Sequence, residues 1–118
     1  MNKNHSQVAR LGFAVAGFKR AWVCEASFRT EIIVGVLVLV GLALWQPARW
    51  CWLAALFSLM FVLTAELINT AIENICDALH PEEHPLIKIA KDCASAAVLM
   101  ANTNGLLVVI VILWWGKS

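Results

Sequence analysis

The sequence predicts an all-α membrane protein with three transmembrane helices and an N-terminal amphipathic surface helix. Three observations carry that prediction. Hydrophobic residues make up 61% of the 118 residues and charged residues only 14%, roughly half the charged share of a soluble domain. Three long stretches carry no charge at all. A Gln46-Pro47-Ala48-Arg49 segment separates the first two as a turn. The same numbers exclude other classes. A soluble chain this small exposes much of its surface and needs charge to cover it, and disordered chains are not this apolar. Four scattered cysteines (Cys24, Cys51, Cys76, Cys93) make no disulfide scaffold and are expected as free thiols. A net charge of +1 offers no basic footprint, so no nucleic-acid partner is expected.

The elements follow in order as one membrane domain over residues 1–118. From about residue 7 to 28, Leu11, Phe13, Val15, Phe18, Trp22 and Phe28 interleave with Arg10, Lys19, Arg20 and Glu25. That mixture suits a helix lying in the headgroup layer, or one buried against the spans. The uncharged run from Ile32 to Ala48 places a first span at about 30–47. The run from Trp50 to Ala65 places a second at about 50–77, including a cytoplasmic extension, and the run from Cys93 to Gly116 places a third at about 86–115. A span needs about 20 residues. Proline disfavours helix at and before its own position, so the hairpin break belongs at Pro47. The first apolar run begins near residue 32, behind a charged leader, and no small-residue cleavage site follows it, so it reads as an anchor rather than a signal peptide.

Orientation follows from the cations. Lys3, Arg10, Lys19, Arg20, Arg29, Lys88 and Lys91 fall on one side, and only Arg49 and Lys117 on the other. The N-terminus and the second loop are therefore expected in the cytoplasm and the C-terminus outside, in a multi-pass inner-membrane protein. Trp45, Trp50, Trp52, Trp114 and Trp115 then form the outer aromatic belt, with Trp22 at the inner one. All eight acids lie on the inner side, and acids contribute little to topology.

Their arrangement carries chemistry. At 100° per residue, Glu66, Asn69, Glu73 and Asp77 share an arc of about 80° on an otherwise apolar helix. Lys88, Lys91, Asp92 and Ser95 repeat the pattern where the third span begins, and Glu25 and Arg29 form a short row at the start of the first. Charges at helix ends are commonly solvated, and an i,i+4 pair such as Glu25 with Arg29 is worth only about 0.2–0.5 kcal/mol. Three carboxylates converging with a lysine and an asparagine at one depth need a cation. Magnesium is held by one or two carboxylates plus substrate phosphates, and lysine holds phosphate as a point charge. A glutamate at the lipid boundary is partly desolvated and becomes a better proton acceptor. Phosphoryl transfer at the membrane surface follows, without either standard glycine-rich phosphate loop. The His80-Pro-Glu-Glu-His84 segment lacks any recognised zinc spacing. Asn102-Thr103-Asn104-Gly105 places polar groups mid-span, where interhelical hydrogen bonds are the expected use.

At these residues the sequence resembles the small prokaryotic diacylglycerol kinase family of integral-membrane lipid kinases. The matching blocks are Glu25-Ala-Ser-Phe-Arg29 with Glu31, Ala65-Glu-Leu-Ile-Asn-Thr-Ala-Ile-Glu73 with Asp77, and Ala90-Lys-Asp92 with Ser95-Ala-Ala-Val98. Order and spacing match without gaps from about Gly12 to Val98. The resemblance implies a homotrimer of three-span subunits whose active sites are shared between neighbours. It implies Glu66 as the general base toward the lipid hydroxyl, and Glu25 and Glu73 as ligands of a Mg2+ cofactor with ATP as phosphoryl donor. Asn69, Lys91, Asp92, Glu82, His84 and Phe13, with Glu25 and Glu73, fall at nucleotide-site positions. Ser95, Phe28, Arg29, Thr30 and Arg10, with Glu66, fall at lipid-site positions. Thr30 stands where better-known members carry glutamine, and Phe13 where they carry tyrosine. The implied reaction converts diacylglycerol to phosphatidic acid. Undecaprenol is the alternative acceptor within the family, because His84-Pro-Leu before Ala90-Lys-Asp92 also reads like its polyprenol branch. Outside the family the alternatives are a small ion-coupled transporter, which would want acids near mid-bilayer, and a regulatory membrane subunit.

Overall fold

A computed structural model describes residues 6–80, 82 and 84–117. Lys3, counted above for orientation, and Pro81 and Glu83 of the histidine segment lie outside the described residues. The described residues form four helices: α1 (Gln7–Cys24), α2 (Ala26–Trp45), α3 (Arg49–Leu79) and α4 (Pro85–Trp115). The last three are long and apolar enough to cross a membrane. At 1.5 Å per residue, the 31 residues of α3 and of α4 each span about 46 Å. That exceeds a hydrocarbon core of about 30 Å, so both helices project beyond it.

Local chemistry sets each boundary. Ser6 caps α1, its Oγ accepting from the Ala9 amide at 3.1 Å, one of the donors a helix start leaves free. The helix ends at Cys24, four residues before the expected limit, because Glu25 is extended at φ −115° and ψ 106°. Its amide still donates to the Ala21 carbonyl at 2.9 Å. Arg29, one turn into α2, reaches back to the end of α1. Its guanidinium donates to the Trp22 and Val23 carbonyls at 2.7 and 3.0 Å, where a cation also meets the negative end of the helix dipole. The expected Glu25–Arg29 ion pair is accordingly not made: the guanidinium serves backbone carbonyls instead. Arg29→Ala is expected to cost about 1 kcal/mol at this junction. Faster amide hydrogen exchange confined to the last turn of α1 would report it.

The turn from α2 to α3 occupies the proline-marked segment. Gln46 closes α2 in the left-handed region, at φ 53° and ψ 56°, a conformation that costs a residue with a side chain. Lys117 stabilises this corner from the end of α4. Its Nζ donates to the Trp45 carbonyl at 2.6 Å and lies 5.5 Å from the centre of the Trp45 ring. The Ala48 amide donates to the Gly116 carbonyl at 2.7 Å, which ties α3 to α4 at the same end. At the opposite end His84 caps α4, Nδ1 accepting from the Leu86 amide at 3.1 Å, with Pro85 at the first helical position, where its missing donor is harmless.

α3 is the hub: α4, α2 and α1 all pack against it. The tryptophan-rich end holds the tightest core, built from Leu42, Cys51, Ala55 and Ile112 with Val38, Leu39, Trp45, Trp52 and Val108 around them. Towards the middle, small residues let α3 and α4 approach closely. Gly105 faces Ser58, and a Cβ placed there would lie 3.4 Å from the Ser58 Oγ. Asn104 donates its amide to that same Oγ at 3.5 Å. Thr103 turns to its own helix and donates to the Leu99 carbonyl at 2.8 Å. Of these mid-span polar residues, Asn104 joins two helices and Thr103 serves its own. Outward faces are apolar and exposed, as lipid-facing surfaces are. Only Ala21 of α1 is buried, so the chain alone leaves that helix open along most of its length.

Candidate active site

The acidic side chains among the described residues gather at the end of the bundle opposite Trp45, Trp50, Trp52, Trp114 and Trp115. Glu66 is the central group: on α3, it is 6% exposed, and the charges of Glu31, Glu25 and Glu73 all act on it. Three elements bring them there, with Glu66 and Glu73 on α3, Glu31 on α2 and Glu25 in the extended link from α1. The break after Cys24 therefore places Glu25 within reach of the α3 row. One turn along α3 from Glu66, Asn69 donates its amide nitrogen to Glu73 Oε1 at 2.9 Å. Asn69 Oδ1 is buried and has no hydrogen-bond partner among the described residues, and a buried acceptor left this way costs stability.

The donor set is made of oxygens, those of Glu25, Glu31, Glu66, Asn69 and Glu73. A hydrated divalent cation fits it: carboxylate oxygens are hard ligands, and a bound water could donate to the orphaned Asn69 carbonyl. Among the described residues, no group of three histidine, cysteine or acidic side chains stands close enough to hold a metal by itself. Magnesium does not require one, since it keeps waters and shares substrate phosphates.

Cations border the cluster on α4. Lys91 Nζ lies 2.6 Å from Asp77 Oδ1 on α3, and Lys88 Nζ lies 2.7 Å from Asp92 Oδ2 one turn away on α4. Glu82 is exposed, and its carbonyl lies 2.8 Å from His80 Nδ1. His84, which caps α4, stands with its ring centre 5.0 Å from that of His80. Phe28 is buried and lines a groove of about 550 Å3 with Phe18, Lys19, Trp22, Val23, Ile32 and Leu63. Its walls come from α1, α2 and α3, and Leu63 lies one helical turn before Glu66. Arg10, Phe13, Thr30 and Ser95 are exposed. Arg29, expected beside lipid, has its guanidinium on the α1 carbonyls.

Residues 12–113 match the family model described as "Prokaryotic diacylglycerol kinase". The chain belongs to that family. Among curated diacylglycerol kinases, the protein of Escherichia coli K12 is 38% identical over 104 residues, covering 87% of this chain and 84% of its own length. That of Pseudomonas aeruginosa PAO1 is 35% identical over 103 residues, covering 87% and 80%. That of Helicobacter pylori 26695 is 34% identical over 90 residues, covering 76% and 70%. The matched stretch contains every residue of the acidic cluster. This diacylglycerol kinase family member therefore carries its Glu25, Glu31, Glu66 and Glu73 carboxylates at one end of a bundle with three helices long enough to span a membrane.

The sequence pattern assigns no role to Glu31, which the fold adds to the cluster. Glu31 lies six residues from Glu25, off any shared helical row, and only the relative rotation of α2 and α3 brings its charge to Glu66. Asp77 was visible on the polar row, but its partner was not.

Proposed function

We propose that the chain transfers the γ-phosphoryl group of MgATP to the hydroxyl of diacylglycerol, giving phosphatidic acid. One observation carries the reading: a buried glutamate, Glu66, on which the charges of Glu31, Glu25 and Glu73 act, one helical turn from Leu63 in the wall of an apolar groove. In the transfer, the lipid hydroxyl oxygen forms a bond to the γ-phosphorus, the bond to the β–γ bridging oxygen breaks, and ADP leaves. Glu66 accepts the hydroxyl proton as that bond forms. Little covalent chemistry is asked of the protein, whose contribution is positioning and charge neutralisation.

The other residues divide the work. Glu25 and Glu73 would hold the magnesium ion, with Asn69 fixing one oxygen of Glu73. The ion supplies neutralisation of phosphate charge when bound. Lys91 and Asp92, with Glu82 and His84 of the α3–α4 connection, would meet the nucleotide. The groove beneath Phe18, Trp22 and Phe28 would take an acyl chain, with its glycerol end towards Glu66. Arg10, Phe13, Thr30 and Ser95 are the remaining family-position contacts, and all are accessible to ligand. The acidic end faces the cytoplasm in this reading, in keeping with the cation bias and with where ATP is found, and the protein sits in the inner membrane. We further propose a homotrimer. The chain alone leaves α1 open along most of its length, and a neighbouring subunit can cover it and complete the shell around Glu25 and Glu73.

The test is lipid phosphorylation by the purified protein in detergent micelles, with radiolabelled ATP and either diacylglycerol or undecaprenol. Label is expected in phosphatidic acid. Preferential labelling of undecaprenol would overturn the acceptor, and labelling of neither lipid would return the protein to the transporter or regulatory-subunit readings.

A further inference from the structure

Lys91 reaches from α4 to α3 at the acidic end, where its Nζ lies 2.6 Å from Asp77 Oδ1. This contact joins two helices across their connection. The neighbouring Lys88–Asp92 pair lies within one helix, with both side chains more than half exposed. A lysine is a compact, strongly hydrated charge on a flexible four-carbon stem. Left unheld, its ammonium samples many rotamers, and binding a phosphate must first remove that freedom.

Asp77 removes it beforehand. An ammonium carries three donors. Among the described residues Lys91 gives one to Asp77, which leaves two to aim elsewhere. The direction is set by the helix. Asp77 follows Glu73 by one turn of α3, and the charge of Glu73 also acts on the Lys91 ammonium. The ammonium is thus held at Asp77, one turn of α3 from the carboxylate that the proposed mechanism gives to the metal. An exposed pair of this kind adds little to folding stability, so stability does not explain the contact.

We infer that Asp77 is a positioning residue, holding Lys91 for the nucleotide's phosphates. The inference rests on the kinase reading, in which Lys91 meets ATP, and predicts an effect on nucleotide affinity rather than on the chemical step. Preorganisation of this kind raises affinity by reducing the ordering cost of binding.

The experiment compares full-length parent, Asp77→Asn, Asp77→Glu, Lys91→Met and the Asp77→Asn/Lys91→Met double variant in detergent, with ATP varied at saturating diacylglycerol. Asp77→Asn is expected to raise KM for ATP roughly 10-fold with little change in kcat. Asp77→Glu should restore most of the affinity, and the double variant should be no worse than Lys91→Met alone, because the two residues act as one unit. Asparagine is isosteric at an exposed position, so the thermal unfolding midpoint should not move. A parent-like KM in Asp77→Asn beside a raised KM in Lys91→Met overturns the inference, as do effects that multiply in the double variant. If Lys91→Met itself leaves KM unchanged, the placement of Lys91 at the nucleotide is what fails, and this inference falls with it.

Discussion

Replacing Glu66 by glutamine is expected to lower kcat by about two to four orders of magnitude, the usual contribution of a general base. Glutamine keeps the shape and hydrogen-bonding reach of the side chain and removes only its basicity. The protein should still fold. Glu66 is buried among the charges of Glu31, Glu25 and Glu73, and removing one of four mutually repelling carboxylates relieves rather than adds cost. Nucleotide binding should also persist, because Glu66 is assigned no nucleotide contact. Steady-state phosphorylation of diacylglycerol, read beside the unfolding midpoint and binding of a non-hydrolysable ATP analogue, separates these effects. A purified Glu66→Gln protein that turns over at the parent rate would remove Glu66 from its role.

The second large effect concerns the metal. Glu73→Ala is expected to raise the magnesium concentration for half-maximal activity on the order of 100-fold, and Glu25→Ala by a similar factor. The reasons differ in detail. Glu73 Oε1 already accepts from Asn69, so its other oxygen is the one left for a cation. Its loss also strands the Asn69 amide, beside a carbonyl oxygen that has no hydrogen-bond partner among the described residues. Glu25 is held by backbone alone, in the extended link whose amide bonds to Ala21, so shortening its side chain should leave the link in place. Magnesium titrations of activity at fixed ATP report both. An unchanged magnesium dependence in either variant would remove that residue as a ligand.

The spans were legible in the sequence because a bilayer imposes length and excludes charge, and both leave plain marks. The row from Glu66 to Asp77 was legible for the same kind of reason, since a helical period of 3.6 on an apolar background is hard to miss. Other features were decided in three dimensions. Nothing in Cys24-Glu25-Ala26 breaks a helix by composition, and the boundary there goes with the extended Glu25 and with Arg29 turning back onto the α1 carbonyls. Glu31 joins the cluster through the packing of α2 on α3, which no one-dimensional pattern encodes. Asp77 and Lys91 each lay on a recognisable face. That they meet depends on how the short His80–His84 connection sets α4 against α3, and two helices can pack in several rotations with the same pattern. At mid-span, an interhelical hydrogen bond from the Asn102–Gly105 segment was foreseeable because hydrocarbon leaves few other uses for an amide, but Ser58 as the partner of Asn104 was not.

In the proposed mechanism, carboxylates from separate elements meet at one divalent cation near the acidic end. Electron paramagnetic resonance of Mn2+, titrated into the purified protein with a non-hydrolysable ATP analogue in detergent, tests this most directly. The parent protein should convert free Mn2+ signal to bound signal at stoichiometric protein and nucleotide, and the Glu25→Ala/Glu73→Ala double variant should not. Equal Mn2+ uptake by the two proteins would show that Glu25 and Glu73 do not hold the cation.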